Sequence, residues 1–188
     1  MVKILTICKA LEPFLVKSNE KLHLAGISRE LKKPHPTARQ WLNALEKKGV
    51  LKKEHQGRLT LYLLNLQNPN IIDYLVIAEK NKLINQCEKN PILAEIVNYI
   101  HSNYRENALI FGSASESFNN AQDIDLLLTG NIDAKPLKTF AKRLNKELHI
   151  INIRSLNKIS NALRKEISKK HLLINGSEKL VRWLIWQQ

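Results

Sequence analysis

The spacing of apolar residues predicts three helices in the first third of the chain. Apolar side chains recur every three or four positions over residues 3–16, and again from Leu24 to Leu31. A third apolar stripe follows Pro36, which suits the first turn of a helix, and Gly49 follows that stripe as a C-cap. These patterns predict three consecutive helices before residue 50.

The run after Gly49 predicts a β-hairpin. Two β-rich stretches flank residues 55–58, and Gly57 supplies the conformational freedom that the turn needs. Three helices followed by a hairpin form the pattern of a winged helix-turn-helix, and residues 1–66 resemble archaeal or bacterial winged-helix regulators. The resemblance implies that the third helix enters the major groove of a nucleic acid and that the hairpin, the wing, contacts its backbone.

Polar and basic residues of the third helix and the wing are the candidate nucleic-acid contacts. Four belong to the third helix and are expected to reach base edges or phosphates: Thr37, Arg39, Gln40 and Asn43. Three belong to the wing and are expected near phosphates: Lys52, Lys53 and Arg58. The alternative is a protein-docking module whose basic residues are merely solvated.

A helical connector separates this region from the rest of the chain. Residues 67–89 mix apolar and charged side chains and predict one long helix or two shorter ones. Asn90 and Pro91 mark a break and a new helix start, and an amphipathic helix then ends near Asn103. We therefore expect three parts: residues 1–66, 67–89 and 90–188.

The charge of the chain favours a polyanionic partner. It carries 30 Lys and Arg against 17 Asp and Glu, a formal net charge of +13, and nucleic acid is the usual partner of such a protein. Cys8 and Cys87 are far apart in the sequence and lack the spacing of metal ligands. We therefore expect both to be free thiols in a core, in a reducing cytosol. No apolar run approaches the roughly 20 residues of a membrane span, so we expect a cytoplasmic protein without membrane contact.

The motif that indicates a ligand-binding or catalytic site lies in the segment ALIFGSASESFNNAQDIDLLLTG. A strand ending at Phe111 leads into small residues from Gly112 to Ser115, which allow the backbone to approach a phosphate closely, with Ser113 adding a hydroxyl donor. Alternation along the next strand places Asp123 and Asp125 on one face. Two adjacent like charges repel each other, and a magnesium ion relieves that repulsion.

The Gly-Ser turn, the nine-residue gap and the Asp-x-Asp strand together resemble the DNA polymerase β-like nucleotidyltransferase superfamily, especially its minimal members, over roughly residues 90–185. The resemblance implies a mixed sheet with helices on one side, magnesium, and a nucleoside triphosphate from which a monophosphate is transferred to a hydroxyl. By this resemblance, Gly112 and Ser113 are expected to bind the triphosphate, and Asp123 and Asp125 to hold the metal.

One position departs from that family. A third carboxylate belongs on a neighbouring strand, expected at residues 148–154, which contain no acid. Asn152 is predicted to occupy that place, and Arg154, on the same face, to meet phosphate together with Ser115 of the turn. His149 is expected on the opposite face, and Glu147 just outside the strand.

These observations predict an α+β protein, with a winged helix-turn-helix followed by a nucleotidyltransferase-like mixed sheet with flanking helices. The first functional hypothesis is a nucleotidyltransferase that acts on a nucleic acid, a small molecule or a protein; the intact Asp-x-Asp favours it. The second is a non-catalytic DNA-binding regulator or antitoxin-like protein with a degenerate domain, which the missing third acid favours. The third is an interaction protein, and Trp183 and Trp186 are expected in a core or an interface.

Overall fold

The protein has an α+β fold divided into two compact units, Met1–Asn81 and Lys82–Gln188. The computed structural model describes residues 4–121 and 123–186. Residue 3, included in the predicted first helix, lies outside this part of the chain. The division falls inside a helix of the predicted connector.

The first unit contains the three predicted helical regions, with one modification. Its helices are α1 (Ile4–Cys8), α2 (Glu12–Val16), α3 (Leu24–Glu30) and α4 (His35–Lys47). A short 3₁₀ segment, Lys9–Leu11, separates α1 from α2, so the predicted first helix is two α-helical pieces. The predicted apolar stripe of α4 is buried through Ala38, Trp41, Leu42 and Leu45, which confirms this helix and its inward face.

The strands of the first unit form the wing and one additional pairing. They are β1 (Leu22–His23), β2 (Leu51–Gln56) and β3 (Leu59–Leu64), in the antiparallel order β1-β3-β2. A two-residue turn joins β2 to β3, and Gly57 has φ +58° there, a conformation that favours glycine. The predicted hairpin is therefore confirmed, whereas β1 was not predicted because two residues carry no periodicity.

Helix α5 (Ile71–Lys89) is continuous through the boundary between the units. The sequence left one long helix or two shorter ones open, and the structure has one. Ile71, Ile72 and Leu75 are buried in its first half, and Leu83 joins the core of the second unit. Within residues 4–121 and 123–186, no helix combines the length and the apolar character that crossing a membrane requires.

The second unit is built on a four-stranded mixed sheet. Its further elements are α6 (Pro91–Asn103), β4 (Ala108–Phe111), β5 (Asp123–Thr129), α7 (Lys135–Arg143), β6 (Glu147–Ile153), α8 (Asn161–Lys169), β7 (His171–Asn175) and α9 (Ser177–Ile185). The strand order is β6-β5-β4-β7. Strands β5 and β6 are parallel, and the other neighbours are antiparallel.

Both faces of this sheet are buried. Ile110 and Leu126 lie on one face, in a core that includes Ile96 of α6. Their neighbours Leu109 and Leu127 point to the other face and are also fully buried, and α9 contacts β7 with a buried apolar side of its own. The expectation of helices on one side of the sheet therefore does not describe this unit.

Both cysteines are free thiols, as predicted. Cys8 is fully buried and Cys87 is half-buried. Burial raises the pKa of the Cys8 thiol to about 11, although the positive charge of Lys48 opposes this increase. Burial also raises the pKa of Cys87. Both thiols are therefore protonated at neutral pH and are poor nucleophiles.

We expect Cys8 to react slowly with iodoacetamide in the folded protein. With a pKa of about 11, its thiolate fraction at pH 8 is about one in a thousand, against about one in ten at its ordinary pKa of 9.0. Mass spectrometry of the folded and the urea-unfolded chain should show modification of Cys8 at least about 100-fold slower in the folded state. Equal rates would contradict its burial.

Candidate functional site

The glycine bend and the second aspartate lie against each other. Phe111 at the end of β4 pairs with Asp125 of β5, so the next residue, Gly112, turns beside that carboxylate. Gly112 has φ +69° and ψ −153°, and a Cβ built on it would lie 2.9 Å from Asp125 Oδ2. No side chain other than hydrogen fits there without displacing the carboxylate.

The two aspartates lie on one face of β5. Ile124 between them is fully buried in the core, whereas Asp123 is exposed and the side chain of Asp125 is 36% exposed. The alternation predicted from the sequence is therefore present at this position. Both carboxylates remain accessible to water and to a ligand at the edge where β5 begins.

Two hydrogen bonds hold the bend in place, one to Lys170 and one within the bend. The backbone N–H of Gly112 donates to Lys170 O at 3.2 Å, and the Ser115 hydroxyl donates to Gly112 O at 2.8 Å. Ser115 is only 2% exposed, which corrects its predicted role: it stabilises the bend instead of facing a nucleotide. Ser113 is exposed and remains the candidate hydroxyl at this position.

Strand β6 presents a different residue to the aspartates from the one that was predicted. In the parallel pairing of β5 and β6, Glu147 lies opposite Asp123, and His149 lies opposite Asp125. His149 Nδ1 is 3.7 Å from Asp125 Oδ1. The structure thus brings an imidazole to the place beside Asp125, and a carboxylate to the place beside Asp123.

Asn152 and Arg154 do not join this cluster, and their predicted placement is wrong. Asn152 pairs with Leu128, on the opposite face of the sheet from the aspartates, about 10 Å along the strand from His149, and its exposed amide donates to Ile132 O at 2.9 Å. Arg154 follows the end of β6, at the opposite end of the strand from Glu147. The sequence prediction failed because the register between two strands is not a local property.

The residues at this edge that could hold a metal ion are two carboxylates. Within the described residues, no group of three or more His, Cys, Asp and Glu side chains is arranged to hold a metal ion. Magnesium commonly takes one or two carboxylates and completes its shell with water and phosphate oxygens. Asp123 and Asp125 provide such a pair of hard oxygen ligands.

Two lysines lie near the bend, and one of them, Lys146, was not identified from the sequence. Lys146, just before β6, donates to Ala121 O at 2.8 Å and lies 5.1 Å above the ring of Phe118, in the loop that leads to Asp123. Lys170 forms an ion pair of 2.8 Å with Glu116. Lys170 belongs to the basic run Lys169–His171 that the sequence places close to the site, either lining an acceptor groove or solvated at a helix end, whereas only the fold associates Lys146 with it.

On α4, the candidate nucleic-acid residues divide into exposed and structural ones. Arg39 and Gln40 are exposed, and Thr37 is half-buried. Asn43 is half-buried and accepts a hydrogen bond from the Tyr62 hydroxyl at 3.2 Å. This corrects the prediction for Asn43, which connects α4 to β3.

The lysines of the wing lie on opposite faces of the hairpin. Lys53 pairs with Tyr62 and therefore shares the face that carries α4. Lys52 pairs with Leu63 on the other face, and its ammonium group donates to Gln67 at 3.4 Å. Arg58 is exposed at the turn. The face that carries α4 thus displays Lys53 but not Lys52.

Comparison with known proteins assigns no family to this chain. No protein-family model matches it, and no curated protein matches it. Among solved structures, the archaeal chromatin protein TrmBL2, reported with a novel mode of DNA binding, is 16% identical. That match covers 83% of this chain and 67% of the other, at a TM-score of 0.28, which is too low to support any argument.

We expect Gly112→Ala to destabilise the protein because of the contact with Asp125. The positive φ and the 2.9 Å approach to Oδ2 should cost about 1–3 kcal/mol in the free energy of unfolding. In an Asp125→Ala background the same change should cost less, since the clashing oxygen is gone. Urea denaturation of the four proteins in this cycle measures both effects. An equal cost in both backgrounds would show that the bend and the carboxylate are not in contact.

Proposed function

We propose that this protein binds nucleic acid through its winged helix and binds a magnesium–nucleoside triphosphate in its second unit. The observation that carries the nucleotide site is the packing of the Gly112 bend against Asp125. A backbone without side chains beside a pair of carboxylates allows a phosphate chain and its magnesium counterion to lie close to the strand.

The residues at this edge have complementary roles toward a triphosphate. Ser113 is an exposed residue whose hydroxyl can donate to phosphate oxygens, and Lys146 adds positive charge nearby. Magnesium, when bound, would supply the charge that links the carboxylates of Asp123 and Asp125 to those phosphates. The chain itself supplies position, hydrogen bonds and the two anionic ligands.

Transfer of a nucleoside monophosphate to a nucleic acid, a small molecule or a protein is the catalytic form of this proposal. On the neighbouring strand, β6 carries His149 and not a carboxylate opposite Asp125, while its Glu147 lies opposite Asp123 at the start of the strand. That observation favours a second candidate, a non-catalytic DNA-binding regulator or antitoxin-like protein that binds the nucleotide without turnover. Both candidates share the same nucleotide site.

The nucleic-acid part of the proposal rests on the surface of the first unit. Arg39 and Gln40 are exposed on α4, and Lys53 lies on the hairpin face that α4 shares. Arg58 is exposed at the tip of the wing. A helix with exposed polar groups beside a basic hairpin is the arrangement with which winged helices contact a groove and its flanking phosphates. The net charge of +13 supports the same conclusion.

We expect triphosphate binding to require both magnesium and the aspartates. Equilibrium dialysis with each radiolabelled nucleoside triphosphate should detect binding with magnesium and at least about tenfold weaker binding with EDTA. The double variant Asp123→Asn, Asp125→Asn should show a similar loss, because it removes both anionic ligands. Incubation with DNA, RNA and protein acceptors in parallel separates transfer of label from binding alone.

Glu95→Gln is the matched control for the aspartate variant. Glu95 is an exposed acid on α6, so the change removes a carboxylate from the same unit away from the bend. Its triphosphate affinity should equal that of the unsubstituted protein. Binding that survives the double aspartate change would eliminate the site, and label transfer by the unsubstituted protein would decide between the enzyme and the regulator.

We expect the two wing lysines to differ in their effect on duplex binding. Lys53→Ala and Arg58→Ala should each weaken binding across unrelated sequences and reduce the salt slope of log K by about 1, as for one lost phosphate contact. Lys52→Ala is the control, since Lys52 lies on the other face of the hairpin. Fluorescence anisotropy over a salt titration measures the slope. Equal effects of Lys52→Ala and Lys53→Ala would exclude the proposed orientation.

A further inference from the structure

A groove in the second unit lies far from the aspartates. It has a volume of about 520 Å³ between the segment after β6 and helices α8 and α9, and its lining begins at Ser155. Since β6 runs from Glu147, opposite Asp123, to Ile153, the groove begins about 20 Å along the strand from the aspartate edge. It is therefore a separate cavity of a size that suits small ligands or one segment of a larger one.

Two tryptophans of α9 form one side of the groove. Trp183 is half-buried, with the guanidinium carbon of Arg164 4.9 Å from its ring centroid. Trp186 is 41% exposed, and the guanidinium carbon of Arg182 lies 5.6 Å from its ring centroid. Of the two placements expected, core or interface, the exposure of Trp186 excludes the core for this residue, because much of its indole faces the groove and solvent.

The charge of the groove is positive. Arg164 and Lys179 line it, and the lining contains no Asp or Glu among the described residues. Arg164 donates to the carbonyls of Trp183 and Trp186, which hold its guanidinium in place. Its Nε is buried and has no hydrogen-bond partner in the described part of the chain. Two cationic side chains in a lining without an acid favour an anionic ligand with acceptor oxygens.

We infer that this groove binds single-stranded nucleic acid. Positive charge that follows a phosphate backbone, combined with indole faces on which bases stack, is the arrangement of proteins that bind single strands without sequence preference. The exposed indole of Trp186 provides the stacking surface, Lys179 faces the phosphates, and Arg164 adds positive charge to the wall of the groove. The site goes beyond the proposed function, in which the winged helix contacts a duplex and the aspartates a triphosphate.

An acidic peptide would satisfy the charge of the groove but not its aromatic surface. A carboxylate ligand gains nothing from the face of Trp186, whereas stacking of a base depends on it. Substitution of this one side chain therefore separates the two kinds of ligand. Trp186 is 41% exposed near the end of α9, so its truncation also removes buried surface, and Trp186→Phe is the control for that loss of packing.

The test uses the full chain with Arg58→Ala, so that binding by the wing is weakened. The probes are fluorescein-labelled 12-residue oligothymidylate and oligouridylate, and fluorescence anisotropy gives Kd at low salt. Trp186→Ala should weaken binding at least about fivefold, and Trp186→Phe should retain affinity within about twofold, since phenylalanine still stacks. Lys179→Ala should weaken binding and reduce its salt dependence.

Lys165→Ala is the matched control for Lys179→Ala, because Lys165 is an exposed lysine of α8 outside the groove lining. Unchanged binding after Trp186→Ala would overturn the proposal. So would an equal loss after Lys165→Ala, or displacement of the oligonucleotide by polyglutamate as effective as by unlabelled oligonucleotide. Duplex binding by the wing is measured in a separate salt titration. A negative outcome there would leave the oligonucleotide result for the groove unchanged.

Discussion

The candidate site of the second unit depends on the pairing of β4 with β5. This register places Phe111 opposite Asp125, so the chain must turn at Gly112 directly beside the carboxylate. A shift by one residue would move both aspartates into the core face and Ile124 to the surface. Burial of the apolar alternate residues therefore keeps the acids at the accessible edge, and the positive φ of Gly112 allows the bend to follow.

The same principle explains why a histidine lies beside the aspartates. Parallel pairing of β5 with β6 aligns Asp125 with His149, and the buried faces of the two strands hold this alignment. The site contains two aspartates, a histidine and an exposed glutamate, and the described residues include no group of three or more ligands suited to a metal. In the proposed function, phosphate oxygens of the ligand would complete the coordination of a metal ion held by the two aspartates.

Basic side chains lie on two separate surfaces, and different residue types surround them on each. On the wing, Lys53 and Arg58 accompany exposed polar residues of α4, an arrangement that suits a duplex groove. In the groove between α8 and α9, Lys179 accompanies indole rings, an arrangement that suits unpaired bases. The net charge alone favours a polyanion as partner. The side chains beside each cation are the basis on which we propose a duplex for the wing and a single strand for the groove.

Local patterns in the sequence determined most elements of this fold. The stripe of α4, the hairpin around Gly57, and the alternation that puts Asp123 and Asp125 on one face follow from spacings within one segment. Tertiary structure decided what no segment contains: the pairing that turns Asn152 away and brings His149 in, the contact of Asn43 with Tyr62, and the exposure of Trp186. Periodicity is set by the geometry of a single helix or strand. Register and packing depend on partners distant in the chain, whose alignment is chosen by the burial of the whole core.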